Sequence, residues 1–180
     1  MNKIQRLENI KTEVVAHFGS LTNNQLNWKL SKEKWSIAEC LQHLIKSNAT
    51  YFPALDSIIK GSTASFWEKF NPMSRSIGKS MVKSLGVTIT RKHKSPVLFQ
   101  PTRSSAAEDS VQAFSNHQDE LIAKFRILDN EAAAGRNITS PVSPLITLPL
   151  SDCLEILAAH EERHLNQAKA VMNLESFPAG

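Results

Sequence analysis

Two histidines spaced four residues apart, His160 and His164, lie near the end of an apolar-periodic run from Leu150 to Met172. On a helix this spacing presents both imidazoles from the same face, with Cβ atoms roughly 6 Å apart. Both rings are then close enough to bind one metal ion. Two histidines rarely hold a metal alone, so a metal site here needs a third ligand from another part of the chain.

The stretch His160-Glu161-x-x-His164 also fits the short pattern of zinc peptidases, in which the glutamate is the general base. The pattern fixes only three positions. Zinc peptidases take a third ligand from a glutamate about twenty residues later or from a Gly-x-x-His extension. Only sixteen residues follow His164, and they begin with a leucine, Asn166 and Gln167. A peptidase is therefore the less favoured interpretation.

Four amphipathic helices are predicted to position these residues, because apolar side chains recur every three or four positions in four stretches. The predicted helices cover residues 2–18, 36–60, 105–128 and 151–173. Gly19 and Gly61 are expected to end the first two helices, and a kink is expected at Pro53. The chain is therefore predicted to be all-α, with one domain over residues 1–180.

Helix start signals support these boundaries. Residues 36–39 and 105–108 both have the capping-box pattern Ser-x-x-Glu. In this pattern the serine hydroxyl accepts from the glutamate backbone N–H and the carboxylate reaches back to the serine backbone. We expect Trp35 to pack against Cys40 across the first turn of the second helix. Ser151 is the predicted N-cap of the last helix.

Two further histidines lie beside the apolar faces of their helices. With about 100° between successive residues, the apolar stripe of the second helix is centred near Ile37, Leu44 and Leu55. His43 falls at the margin of this stripe. His117 flanks the stripe of the third helix, where it could line an interior cavity. Spacing alone favours a surface or rim position for both residues.

Composition describes an ordinary globular protein, with 41% hydrophobic and 21% charged residues. No apolar segment follows the N-terminus, and no apolar run approaches the roughly 18 residues that a membrane span needs. We therefore expect a cytoplasmic protein without a membrane partner. Two cysteines, Cys40 and Cys153, are too few for a disulfide framework and are expected to be reduced thiols.

A basic segment connects the second and third predicted helices. Residues 60–103 contain nine Lys and Arg but a single acid, Glu68, which gives a net charge of +8. Such a segment could contact an anionic partner, but no nucleic-acid-binding motif is present, so we expect no nucleic-acid partner. Residues 62–103 are long enough for a crossover along a bundle. Its aromatic residues Phe66, Trp67 and Phe70 are expected to cover the core.

Motifs from most of the chain resemble the DinB-like (YfiT-like) family of metalloenzymes. The resemblance is carried by the block Trp-Ser-x-x-Glu-x-x-x-His at residues 35–43, by the capped third helix, and by His-x-x-x-His-x-x-Gln at residues 160–167. It implies a four-helix bundle with a long crossover between helices 2 and 3. It also implies that His43, His160 and His164 hold a divalent metal. Members of known activity are thiol-dependent transferases or isomerases, others are described as hydrolases, and a homodimer is plausible.

The resulting hypothesis is a metal-dependent hydrolase or thiol-dependent S-transferase that acts on a small molecule. Three imidazoles leave a coordination position open, as expected of a catalytic site. Zn or Ni are the first candidate metals, followed by Fe or Mn, and a low-molecular-weight thiol is a candidate cosubstrate. Glu39 and Glu161 are candidates for ligand orientation or proton transfer. Asn48, His117 and Gln167 are candidates for lining the cavity.

Two alternatives remain open at this stage. The chain could be a stress-response protein that binds a metal or ligand without catalysis, because no convincing general base is evident. The histidines could also be merely structural. Neither composition nor spacing identifies the metal or the substrate.

Overall fold

Helices account for nearly all regular structure in the computed structural model, which describes residues 1–85 and 109–179. In chain order the elements are α1 Lys3–Phe18, α2 Asn23–Asn27, α3 Ile37–Ala49, α4 Phe52–Ile59, α5 Phe66–Phe70, α6 Ser74–Leu85, α7 Ser110–Ala133, β1 Asn137–Thr139, β2 Thr147–Pro149 and α8 Leu150–Met172. The predicted all-α class is confirmed. None of these helices combines the length and apolar character needed to cross a membrane.

The first predicted helix is confirmed as α1. Asn2 caps it by accepting from the backbone N–H of Gln5, whose side chain in turn accepts from the Asn2 backbone. The three-and-four spacing of its apolar residues places one face in the core, at Leu7, Ile10, Val14 and Phe18.

The second predicted helix, residues 36–60, is two helices rather than one. The chain leaves helical hydrogen bonding after Ala49 and begins α4 at Phe52, so the break precedes the expected kink at Pro53. Proline has no backbone N–H to donate and is tolerated in the first turn of a helix, which is the position of Pro53 in α4. Gly61 adopts a left-handed φ of 81° directly after α4, as its role in ending this segment requires.

The third predicted helix extends further than the sequence indicated. Its predicted capping box, residues 105–108, lies outside the described residues. α7 continues five residues past the predicted end and stops before Gly135, which has a φ of 80°. The segment after it forms a small antiparallel hairpin, in which Ile138 pairs with Leu148. This hairpin was not predicted, because three-residue strands are too short to show a period.

The last helix begins one residue before its predicted start, and Ser151 is not its N-cap. The backbone of β2 runs directly into α8, with Pro149 at the N-cap position and no side-chain cap. The backbone N–H of Leu150 donates to the Arg136 carbonyl at 2.7 Å, so the hairpin replaces a capping side chain. Asp152 in the first turn lies against Gly78 of α6, where a Cβ atom would be 2.2 Å from its Oδ2. A larger residue at position 78 would have to displace the Asp152 side chain and would crowd the Pro149 ring, so glycine favours this close approach of α6 to α8.

The described part of the predicted crossover contains α5 and α6, and residues 86–103 of it lie outside the described residues. The expectation that its aromatic side chains cover the core is wrong. Phe66 is 75% exposed and Phe70 is 65% exposed. α5 packs on the hairpin rather than on the long helices, with Trp67 Nε1 donating to the Leu145 carbonyl at 3.2 Å.

The four long helices share one apolar core. α1 lies against α7 and α8, and α3 packs against the same two helices. The largest fully buried side chains come from all of these helices and include Phe18, Leu41, Phe114 and Phe125. This packing holds the inner faces of α3 and α8 against each other, which decides where their polar residues meet.

Candidate metal centre

The predicted capping box at residues 36–39 is confirmed and fixes the first turn of α3. Oγ of Ser36 accepts from the Glu39 backbone N–H at 3.1 Å, and Oε2 of Glu39 accepts from the Ser36 backbone N–H at 2.9 Å. Oε1 of Glu39 accepts from Lys29 Nζ at 2.7 Å. The capped turn sets the position of His43, which follows one turn later on α3.

His43 of α3 meets His160 and His164 of α8 where the two helices pack. The ring centroids are 4.5 to 5.0 Å apart, and Nε2 of His43 is 3.2 Å from Nε2 of His160. Each ring offers one nitrogen, and these three atoms lie within 4.8 Å of one another. We call His43, His160 and His164 the histidine cluster. The structure brings together the three residues that the sequence proposed as ligands.

One side of the histidine cluster is accessible. His43 and His164 are only 3% and 4% exposed, whereas His160 is partly exposed. Nδ1 of His164 is buried and has no hydrogen-bond partner among the described residues. Leaving such a group unpaired costs about 1–3 kcal/mol. Three converging imidazoles with an unpaired nitrogen are a donor set that fits a divalent transition metal.

Electrostatics keep two of these rings neutral in the absence of a metal. Burial, together with His43 and Arg163, lowers the pKa of His160 to about 3. Burial, followed by the neighbouring histidines and Arg163, lowers the pKa of His164 to about 2. At neutral pH both imidazoles therefore carry a free lone pair, which is the form that binds metals.

Two residues that the sequence did not identify contact the cluster. The Trp35 indole stacks on His164 with 5.6 Å between ring centroids, and its centroid is 4.7 Å from that of His43. Oγ of Ser47 is 3.4 Å from Nδ1 of His43. Ser47 follows His43 by four residues, so the helical spacing could have indicated it. The Trp35 contact depends on the approach of α8, and the expected pairing with Cys40 gave no hint of it.

Glu161 belongs to a different buried group, although it follows His160 directly. Its side chain is fully buried, Oε1 accepts from Asn48 Nδ2 at 2.6 Å, and Oε2 accepts from Gln118 Nε2 at 2.5 Å. Burial raises the pKa of Glu161 to about 8, against the opposing effect of the two amides. We call Glu161, Asn48 and Gln118 the core carboxylate network. The sequence analysis did not propose Gln118 as a partner of Glu161. The indication was that Gln118 is a polar side chain within the apolar stripe of α7.

The other predicted site residues lie at different distances from the cluster. Gln167 lies close enough to His164 to oppose the lowering of its pKa. His117 is outside the cluster and lies flat on Phe52, at 4.9 Å and 8°. Asn48 contacts Glu161 instead of a cavity. Because both oxygens of Glu39 and of Glu161 have partners, their catalytic roles stay predictions without a contact to support them.

The two cysteines are free and buried, as predicted. Burial raises the pKa of Cys153 to about 12 and raises the pKa of Cys40 further. Thiols of this kind are mostly protonated and unreactive at neutral pH. Neither belongs to the group of metal-ligating side chains found in the described residues.

The chain matches the model of the DinB superfamily over residues 6–168. The matched region contains most of α1, both ends of the crossover and most of α8, including every residue of the histidine cluster. Comparisons with curated protein sequences and with solved structures give no match.

Proposed function

Because the chain belongs to the DinB superfamily, we propose that it is a metal-dependent enzyme acting on a small molecule at the histidine cluster. The reaction is a hydrolysis or a thiol-dependent transfer. The observation that carries this proposal is the meeting of three imidazole nitrogens, from α3 and α8, within 4.8 Å of one another. Three protein ligands and an accessible side match catalytic metal sites better than closed structural ones.

The chain's own residues supply ligands, orientation and access. His43, His160 and His164 would hold a divalent ion, which when bound supplies Lewis acidity towards water or a thiol. Ser47 lies beside the outer nitrogen of His43, where it can fix the ring orientation. Trp35 covers two of the rings and limits water on that side. Substrate would approach along the partly exposed His160.

Metal analysis of full-length protein purified without a chelator or an affinity tag tests the first half of the proposal. We expect close to one Zn or Ni per chain, with Fe or Mn as the next candidates, because imidazole suits all of these ions. His160→Ala should lose the metal. His17→Ala removes an exposed histidine from α1 and should retain it. A metal-free wild-type protein that also fails to bind added Zn, Ni, Fe or Mn would contradict the proposal.

Screening the metal-loaded protein for thiol-dependent transfer and for ester or amide hydrolysis tests the second half. Activity should disappear in His160→Ala and persist in His17→Ala.

A non-catalytic metal- or ligand-binding protein is the second candidate. It is favoured by one observation: in the described residues, no carboxylate joins the histidine cluster. Stoichiometric metal binding without activity in either class of reaction would support it.

The position of Glu161 does not favour a peptidase. A zinc peptidase needs the glutamate of its His-Glu-x-x-His pattern as a base beside the metal. Here both oxygens of Glu161 are bonded to Asn48 and Gln118, and the residue has no exposed surface.

A further inference from the structure

Arg163 carries a charge for which the described residues provide no partner. Three arginines among the described residues are partly buried: Arg6, Arg136 and Arg163. Arg6 is paired with Glu162 and Glu155, and Arg136 lies 4.0 Å from Glu68. Arg163 makes no hydrogen bond or ion pair within residues 1–85 and 109–179. A partly buried guanidinium without an anion is unfavourable, so a missing partner requires an explanation.

Glu161 and Glu162, which directly precede Arg163 on α8, are already engaged, and so is Glu39 in the first turn of α3. Glu162 accepts from Arg6 through both oxygens, at 2.7 and 2.8 Å. Glu161 is held in the core carboxylate network, and Glu39 is bonded to Lys29 and to its own capping turn. Among the described residues, the Arg163 charge is therefore left without a compensating acid.

Arg163 lies on α8 beside two members of the histidine cluster. Arg163 is three residues after His160 and directly precedes His164, so it occupies the same turns of α8. On a helix, residues three apart are neighbours on the surface, and His160 is the partly exposed member of the cluster. The charge of Arg163 is felt at both His160 and His164. An anion bound to Arg163 would thus lie at the accessible side of the cluster.

We propose that Arg163 binds a carboxylate of the substrate or cosubstrate, and that the site selects small anionic molecules over neutral ones of the same size. This inference rests on the proposed metal-dependent function. Guanidinium and carboxylate form two parallel charge-assisted hydrogen bonds, which fixes orientation as well as charge. The carboxylate on Arg163 would hold the ligand so that its reactive atom reaches the histidine cluster.

Cobalt-substituted full-length protein provides a direct test, since a thiol that binds cobalt gives a sulfur-to-metal absorption band. The probes are 3-mercaptopropionate and the neutral 3-mercaptopropanol, which have the same chain length. We expect the carboxylate probe to bind at least tenfold more tightly to the wild-type protein. Arg163→Gln should reduce this ratio to near one, and Arg163→Lys should leave an intermediate ratio because it keeps the charge but loses the planar fork.

The matched control is Arg126→Gln. It removes an arginine of α7 that is paired with Glu8 of α1, and it should keep the wild-type ratio. Cobalt affinity in Arg163→Gln should equal or exceed that of wild type, because a positive charge beside the ligands is removed. Equal binding of the two probes to wild type, or an unchanged preference in Arg163→Gln, overturns this inference while the metal site stands. Failure of wild type to bind cobalt overturns the proposed function and this inference with it.

Discussion

Two adjacent residues of α8, His160 and Glu161, lie in buried polar groups of opposite character. In the core carboxylate network, each oxygen of Glu161 receives a hydrogen bond from an amide. In the histidine cluster, ring nitrogens face one another at 3.2 Å and Nδ1 of His164 has no partner in the described chain. A buried carboxyl group whose two oxygens both have partners within the chain serves the fold. A convergence of unmatched ligand atoms is instead an indication of a missing ligand.

The largest expected effect tests whether the core carboxylate network stabilises the fold. Glu161→Ala should lower the free energy of unfolding by about 3 kcal/mol or more, because it opens a cavity, leaves the Asn48 amide without an acceptor and removes one of the two acceptors of the Gln118 amide. Glu161→Gln should cost less than about 1.5 kcal/mol, since Asn48 has an unpartnered amide oxygen that can accept from the new side chain. Urea unfolding in the presence of a chelator measures both changes.

Glu131→Ala on the exposed surface of α7 is the control and should change stability by less than about 0.5 kcal/mol. If Glu161→Ala were no more costly than Glu131→Ala, the core carboxylate network would not have the structural role assigned to it.

The next largest expected effect tests whether the histidine cluster binds a metal. Zn or Ni at a hundred times its dissociation constant should stabilise the wild-type protein by about 2.7 kcal/mol, since it binds the folded state. For a chain of this size the melting temperature should rise by about 5–10 °C. His160→Ala should remove this rise, and Glu161→Gln should retain it. Thermal unfolding with and without metal measures the difference, and equal metal stabilisation of His160→Ala would exclude His160 as a ligand.

His117, a partly buried histidine outside the cluster, separates the effect of burial from that of metal binding. Burial lowers the pKa of His117 to about 4, with smaller and opposed effects from Glu120 and Lys124, while Asp56 of α4 is paired with Lys124. Between pH 6.5 and 4 the unfolded chain therefore binds a proton that the folded chain does not, so folding stability falls as the pH falls. His117→Phe should recover about 1–2 kcal/mol of the stability lost over this window.

Urea unfolding of chelated wild-type and His117→Phe protein across this pH range measures the effect, and the cluster histidines contribute equally to both. Metal stabilisation at neutral pH should be the same in the two proteins. Parallel stability curves would show that His117 is protonated alike in the folded and unfolded states.

The smallest expected effect concerns the hydroxyl group beside the cluster. Ser47→Ala should weaken metal binding by less than tenfold, because the 3.4 Å contact to His43 Nδ1 is long for a hydrogen bond. Isothermal titration with Zn measures the change. A loss as large as that of His43→Ala would mean that Ser47 itself is a ligand.

Local sequence patterns predicted the helices and the pairing of His160 with His164, because both depend on the helical repeat alone. The kink expected at Pro53 is instead a break between Ala49 and Phe52, and the hairpin was missed. The first accompanies the packing of α4, which lies mainly against α7, and the second is too short to produce a period.

The spacing of residues along the helix could not predict that His43 joins the cluster, because it placed His43 at the margin of the apolar stripe. Only the packing of α3 on α8 turns that margin inward, and family resemblance supplied the residue instead. The same packing decides that Asn48 meets Glu161 and that Trp35 covers His164. The small-molecule substrate, the homodimer and the cytoplasmic location stay predictions, because no feature of the described residues tests them.

His43 and His160 stand 117 positions apart along the chain. An ion bound to both would close a loop containing most of the polypeptide, in the manner of a reversible cross-link. Forming so long a loop costs on the order of 4 kcal/mol in chain entropy, and a bound ion would have to be released before α3 and α8 could separate. We therefore expect the lifetime of the loaded protein against global opening to be set by the rate at which the ion dissociates.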